Sequence, residues 1–237
     1  MIYLRSLSFY ILYLLSGLLA GLAGCLIGPF LNINNRIKFL SAWPRFANWA
    51  LYKSCEIEVV IEGSENIPNA PFVIASNHQG QWETFFYQYF FFPMTTLLKR
   101  ELLFIPVWGW ALALLRPIAI NRGNPTVALK TALREGEKRI KKGFSVLNFP
   151  EGTRKDPGEI GRYARSGFEL AKKMQVPVLP IVHNSGDCWP AHRFLKFPGK
   201  INLTIGAPVE NIESSAEAAK KMEEWARQKL ELIKLNN

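Results

Sequence analysis

The segment NHQGQWE, Asn77 to Glu83, places an imidazole five residues before a carboxylate, directly after the apolar run Pro71–Ser76. A neutral imidazole is the usual general base near pH 7. A carboxylate on its second nitrogen fixes the tautomer and stabilises the imidazolium formed during proton transfer. Residues five apart do not face one another on a regular helix, where a separation of three or four is needed. His78 and Glu83 therefore meet only if His78 lies in a loop before a helix and Glu83 reaches back from its first turns. The spacing alone fits equally well a strand-end histidine that caps a helix.

A second cluster is FPEGTR, Phe149 to Arg154, where a strand ends in Pro150 and a loop gathers Glu151, Gly152, Thr153 and Arg154. A guanidinium presents a planar fork of donors that matches phosphate oxygens, and backbone amides beside a glycine add to such a cradle. The combination suits a phosphate-bearing polyol; the plain alternative is a turn with one surface ion pair. Arg122, leaving RPIAINR, and Lys99 and Arg100, ending TTLLKR, are further candidates for the same pocket, although exposed basic residues are commonly just solvated. Ten Lys and Arg against three Glu between Lys99 and Lys142 predict an electropositive region.

These residues need strands to carry them. EIEVVIEG alternates from Glu56, and PFVIAS is continuously apolar, so both read as strands. The pattern then switches repeatedly: a helix over Gln81–Phe92, a strand over Thr95–Lys99, a helix over Ile105–Leu115 and a short strand over Pro117–Asn121. Asn124-Pro125 opens a helix that runs through Lys142 and stops at Gly143. FSVLNF, VPVLPIV and Ile201–Ile205 are strands, Ala164–Gln175 is a helix, and Ser214-x-x-Glu217 is a capping box for a long last helix. Such alternation predicts an α/β body with a mixed, mostly parallel sheet flanked by helices. In such sheets ligands sit beyond the carboxyl ends of the strands, where the candidate clusters fall.

Before that body, Leu7 to Leu31 holds about 25 residues without a charge, roughly the length of a bilayer-spanning helix. Residues 1–55 are therefore read as a membrane anchor and residues 56–237 as the catalytic domain. Gly17 and Gly21 form a small-xxx-small pair that permits close helix contact. A break at Gly28-Pro29 makes a re-entrant hairpin, or a helix lying half in the interface, an alternative to one straight span. Arg36, Lys38 and Arg45 follow the segment and only Arg5 precedes it, which places the body on the cytosolic side. The stretch Arg36–Lys53 fits an amphipathic helix on lipid headgroups, broken near Pro44, or an ordinary helix with its aromatic face in the core. LAGC, Leu22 to Cys25, resembles a lipoprotein cleavage box, but the apolar stretch is longer than a signal core and continues past Cys25.

The 237 residues carry a formal charge of +10, which favours anionic partners. A nucleic-acid module is opposed by the apolar amino terminus and the absence of recognition signatures. Cys25, Cys55 and Cys188 have no metal-like spacing, and their odd number suits a reducing compartment. His183 and His192 also lack ligand spacing and are expected in a loop, so no metal is expected.

Taken together, NHQGQWE, RPIAINR, FPEGTR and VPVLPIV resemble, in order and spacing, the four blocks of the glycerolipid acyltransferase family, in particular 1-acylglycerol-3-phosphate acyltransferases. Glu83 stands where that family usually has Asp, one methylene shorter. Arg116 stands where the second block often begins with glycine, so Arg122 is the one position carried over from it. The resemblance implies transfer of a fatty acyl group from acyl-CoA or acyl carrier protein to the hydroxyl of a lysophospholipid, with no further cofactor. His78 would be the base and Glu83 its orienting partner. Arg154, Arg122, Thr153 and Lys99 would hold the acceptor phosphate, with Glu151 and Gly152 shaping the glycerol site. Val178 to Pro180 would line an acyl tunnel or simply be core. A membrane-tethered phospholigand-binding protein with a structural histidine is the rival reading.

Overall fold

The computed structural model describes residues 1–69, 71–121 and 123–235. Seven strands form one sheet: β1 (Ile57–Glu62), β2 (Val73–Ser76), β3 (Met94–Lys99), β4 (Ile118–Ile120), β5 (Ser145–Asn148), β6 (Val178–His183) and β7 (Gly199–Ile205). Their order is β1-β7-β6-β2-β5-β3-β4, and every neighbouring pair is parallel except β6 with β7. The central strands β2, β5 and β6 are buried at every position. Strands covered on both faces need mostly apolar sequences, and the polar residues here, Ser76, Ser145, Asn148 and His183, sit at strand ends. Successive β2 side chains serve opposite faces: Ile74 joins one core with Trp82, Phe86 and Leu179, whereas Val73 and Ala75 join another with Phe168 and Met222.

Among the described residues nine α-helices accompany the sheet: α1 (Ile2–Ile27), α2 (Ile33–Leu40), α3 (Ala42–Cys55), α4 (Trp82–Phe90), α5 (Trp108–Leu114), α6 (Pro125–Ile140), α7 (Ser166–Met174), α8 (Ser185–Cys188) and α9 (Ser215–Leu235). Asn124 accepts the Val127 N–H at the start of α6, and Ser214 accepts the Glu217 N–H at the start of α9, as their caps predict. Some boundaries differ from the sequence expectation. α4 stops at Phe90, short of Pro93, because the residue before a proline is pushed out of the helical region. α5 begins at Trp108, after a 3₁₀ turn over Arg100–Phe104 and a Val107 at φ 63. The break expected near Pro44 falls instead at Ser41. Pro44 sits in the first turn of α3, where its missing N–H would have had no helical acceptor.

The amino-terminal segment folds back on itself and onto the body. Arg5 and Glu56 form a bidentate pair at 2.6 and 2.7 Å, Gly17 meets Trp43, and Gly28 lies against Leu114 and Arg36. The chain thus forms a hairpin of α1 against α2 and α3, turned at Gly28-Pro29. Arg36 closes the turn by donating to the carbonyls of Gly28 and Leu31. The glycine stripe is the packing seam: a Cβ at Gly17, Gly21 or Gly24 would collide with Trp43, Val107 or Leu40. Away from that seam Leu4, Leu7, Ile11, Leu15, Leu18 and Leu22 are exposed. α1 is long and apolar enough to cross a membrane. α3 buries its small face, Ala47, Ala50 and Cys55, and turns Phe46, Trp49 and Tyr52 outward, the reverse of a helix with its aromatic face in the core.

Candidate active site

The carboxyl end of β2 is the focus. His78 lies two residues beyond the strand, in the turn before α4, and Glu83 is the second residue of that helix. Glu83 folds back over the turn. Its Oε1 accepts from His78 Nδ1 at 2.7 Å and from the backbone N–H groups of Gln79 and Gly80 at 2.9 and 2.8 Å. The five-residue separation is closed by side-chain reach, with the carboxylate capping the turn it steadies. Burial by itself pushes the Glu83 carboxyl up. The His78 hydrogen bond, the charge either nearby histidine can carry and the Gly80 amide outweigh burial, holding the group well below the usual carboxylate range.

An ionised carboxylate only accepts, so Nδ1 of His78 carries the proton and Nε2 is left with its lone pair. No described residue hydrogen-bonds Nε2, and the side chain keeps 12% of its surface exposed. The ring stacks on Phe149 at 4.1 Å between centroids and 17° between planes. That packing locks the imidazole in one orientation.

The FPEGTR loop, entered from β5 beside β2, wraps the same residue. Glu151 Oε1 accepts the His78 N–H at 2.9 Å, its Oε2 accepts the Gly161 N–H at 2.8 Å, and the Lys155 N–H donates to the His78 carbonyl at 2.8 Å. Glu151 thus clamps the backbone at His78. Burial, its largest influence, raises the Glu151 pKa, and the two backbone amides draw it back. Gly152 adopts φ +70, a left-handed turn that a side chain would strain. Gly152 and Thr153 are exposed at the loop tip. Arg154 is half-buried, and its Nε is enclosed without a hydrogen-bond partner among the described residues. A buried guanidinium N–H left without an acceptor is costly, and an anionic ligand would satisfy it.

Lys99 ends β3, exposed, three residues past Thr96, which pairs with Leu147 of β5; it therefore lies at the same edge of the sheet as the FPEGTR loop. Arg122 lies outside the described residues. The electropositive region from Lys99 to Lys142 is partly self-neutralised: Arg134 and Lys138 pair with Glu135, and Lys141 pairs with Glu137. Lys99 and Arg100, at the site end, have no ion pair among the described residues. Val178 to Pro180 are fully enclosed in the central sheet, which makes them core.

His183 is not in a loop. It ends β6, fully buried, and β6 lies next to β2. Asn77 and His183 exchange hydrogen bonds through the Asn77 amide and the His183 backbone at 2.9 and 3.0 Å, and His183 Nε2 meets the Asn77 carbonyl at 3.1 Å. Ser185 Oγ donates to Glu83 Oε2 at 3.1 Å. The spacing of NHQGQWE gives no signal for Ser185, because its hydroxyl arrives from the first residue of α8, about a hundred residues downstream. A polar residue following the buried strand VPVLPIV was the only hint.

A part-buried imidazole on a fully buried carboxylate, at the carboxyl end of a central strand beside a guanidinium loop, sits within residues 58–184, which match the family model described as Acyltransferase. The chain belongs to the acyltransferase family. It is 44% identical over 227 residues to the 1-acyl-sn-glycerol-3-phosphate acyltransferase of Pseudomonas aeruginosa, covering 94% of this chain and 88% of that one. The 1-acyl-sn-glycerol-3-phosphate acyltransferase of Saccharomyces cerevisiae is 31% identical over 53% of this chain and 43% of its own length. The crystal structure of the 1-acyl-sn-glycerophosphate acyltransferase of Thermotoga maritima superposes with a TM-score of 0.82 at 28% identity, covering 98% of this chain and 96% of that one.

Proposed function

We propose that this acyltransferase moves a fatty acyl group from a thioester, on coenzyme A or acyl carrier protein, to the free hydroxyl of 1-acylglycerol-3-phosphate, giving phosphatidic acid. The observation that carries the reading is the His78–Glu83 contact at 2.7 Å, with Nε2 unpartnered beside the loop that carries the enclosed Arg154 Nε. An alcohol is a poor nucleophile until a base takes its proton during attack, an assistance worth about 10²–10⁴ in rate. His78 Nε2 takes the hydroxyl proton as the alcohol oxygen attacks the thioester carbonyl. The tetrahedral intermediate collapses with cleavage of the C–S bond, and the imidazolium returns the proton to the departing sulfur. Glu83 stabilises the imidazolium in between. Arg154, with Lys99, Thr153 and Arg122, holds the acceptor phosphate. Gly152 gives the loop its turn, and Glu151 holds the backbone of the base.

In this reading residues 1–55 are the membrane-binding part and residues 56–237 the catalytic part. The exposed leucine face of α1 and the outward aromatics of α3 support contact with lipid, where both substrates partition. The catalytic part faces the cytoplasm, with Lys38 and Arg45 beside the hairpin favouring that side. The test is an assay of the full-length protein in vesicles with acyl-CoA and lysophosphatidate. Stoichiometric release of free thiol and phosphatidic acid is expected, with far less turnover on a lysolipid lacking the phosphate monoester. Thiol release indifferent to the acceptor would contradict the reading.

A further inference from the structure

We propose that Ser185 is a positioning residue for the acyl transfer: its hydroxyl holds the outer oxygen of the Glu83 carboxylate, so that the inner oxygen stays aimed at the His78 imidazole. The proposal rests on His78 acting as the general base.

All three donors from the catalytic turn converge on one oxygen, Oε1 of Glu83. A carboxylate held through a single oxygen can still swing about its last side-chain bond, and such a swing would carry Oε1 away from Nδ1. Oε2 is caught by Ser185 Oγ at 3.1 Å, which fixes the plane of the carboxylate. An ionised carboxylate only accepts, so the hydroxyl is oriented as donor. Charge-assisted hydrogen bonds of this kind are stronger than neutral ones.

Ser185 is itself immobilised. It is fully buried, its N–H donates to His183 Nδ1 at 3.2 Å, and His183 Nε2–H donates to the carbonyl of Asn77 at 3.1 Å. Asn77 directly precedes His78. The contacts therefore close a ring through Asn77, His183, Ser185, Glu83 and His78, joining the carboxyl ends of β2 and β6 around the catalytic turn. Burial lowers the His183 pKa, which favours the neutral ring that accepts at Nδ1. The Gly186 N–H adds a tie to Gln79 Oε1 at 3.0 Å. Ionisable groups bearing on the pair are His183 from β6, Tyr87 on Glu83's own helix and Glu151 from the loop after β5.

The test is steady-state kinetics of Ser185→Ala in full-length protein reconstituted in vesicles, across a range of pH. We expect kcat to fall about tenfold, the loss of one charge-assisted hydrogen bond, with both KM values within about twofold of wild type. The acid limb of the kcat/KM profile should move to higher pH, because a carboxylate relieved of one donor binds the imidazolium more tightly. A residue that only supports folding would lower the rate equally at every pH. Ser185→Cys, of similar shape but a weaker donor, should fall between, and it carries the test by the same criteria if Ser185→Ala does not fold. Wild-type kcat and profile in Ser185→Ala, or a loss uniform in pH, would overturn the proposal. If His78→Ala retained turnover the general-base reading would fail instead, so the two failures are distinguishable.

Discussion

Glu151 and His78, 73 residues apart in sequence, are joined at the backbone: the Glu151 carboxylate accepts the His78 N–H at 2.9 Å. The FPEGTR loop therefore does two jobs, holding the His78 backbone at one end and carrying a guanidinium at the other.

Glu151→Gln keeps one acceptor oxygen but turns an amide NH₂ toward either Gly161 or His78, both of which are donors. We expect kcat to drop about tenfold or more from the lost charged hydrogen bonds, with a lower melting temperature. Steady-state rates beside a thermal melt check this. Unchanged kcat would mean that the clamp is not needed to place the imidazole.

Glu83→Gln and Glu83→Ala should differ in a way the hydrogen bonds dictate. Because three donors converge on Oε1, the glutamine oxygen takes that place and its NH₂ faces Ser185, whose hydroxyl can accept. The His78 tautomer is then preserved and only the charge is lost. We expect a fall in kcat of about 10² for Glu83→Gln and a larger one for Glu83→Ala, which also frees the ring. Equal losses in the two variants would contradict this.

Arg154→Ala should raise the KM for lysophosphatidate by about tenfold or more and leave the donor KM close to wild type, since a phosphate pair makes charge-assisted bonds. Initial-rate measurements varying each substrate separately read the difference. Equal losses for both substrates would remove Arg154 from the phosphate site.

The sheet was legible because buried parallel strands are mostly apolar, as VPVLPIV is throughout and FSVLNF is apart from Ser145 and Asn148. The grouping of His78, Glu83 and the FPEGTR loop at one edge of the sheet followed from their places at strand ends. The condition for Glu83 to reach His78, a loop histidine and a carboxylate in the first helical turn, was also readable; the capping of the Gln79 and Gly80 amides by the same oxygen was not, because it depends on how the turn itself folds. Arg116 is a related case: it adopts φ 53, a conformation that favours glycine, and its carbonyl is held by the Arg139 guanidinium at 3.0 and 3.2 Å. The departure from the family's glycine is thereby accommodated by a contact between distant residues. His183 was misplaced because a histidine after an apolar run reads as a loop, whereas its ring is enclosed by Asn77 just beyond β2, by Ser185 and by Trp82 and Tyr87 of α4.

Lys196 offers a test of how α1 is fastened to the body. Its ammonium is buried over the rings of Tyr10 and Trp189 and donates to the carbonyls of Arg193 and Phe194, both at 2.9 Å, while Ser6 accepts its backbone N–H. Burial pushes its pKa down to about 8, against a smaller opposite influence of Cys55. Between about pH 8 and the unfolded value near 10.4, the unfolded chain binds more protons than the native one, so this group makes stability rise with pH. Below about pH 8 the penalty is complete and constant. Lys196→Met should remove that slope, changing the stability difference from wild type by up to about 3 kcal/mol across the window. Denaturation of both proteins at the two ends of the window checks it; a difference independent of pH would contradict the buried-charge account.

The central claim is that His78 Nε2 takes the acceptor proton. The most direct measurement is single-turnover thiol release from acyl-CoA by His78→Ala in vesicles containing lysophosphatidate, with binding of both substrates verified beforehand. The account expects a rate lower by about 10²–10⁴ with both substrates still bound. Release at the wild-type rate would contradict it.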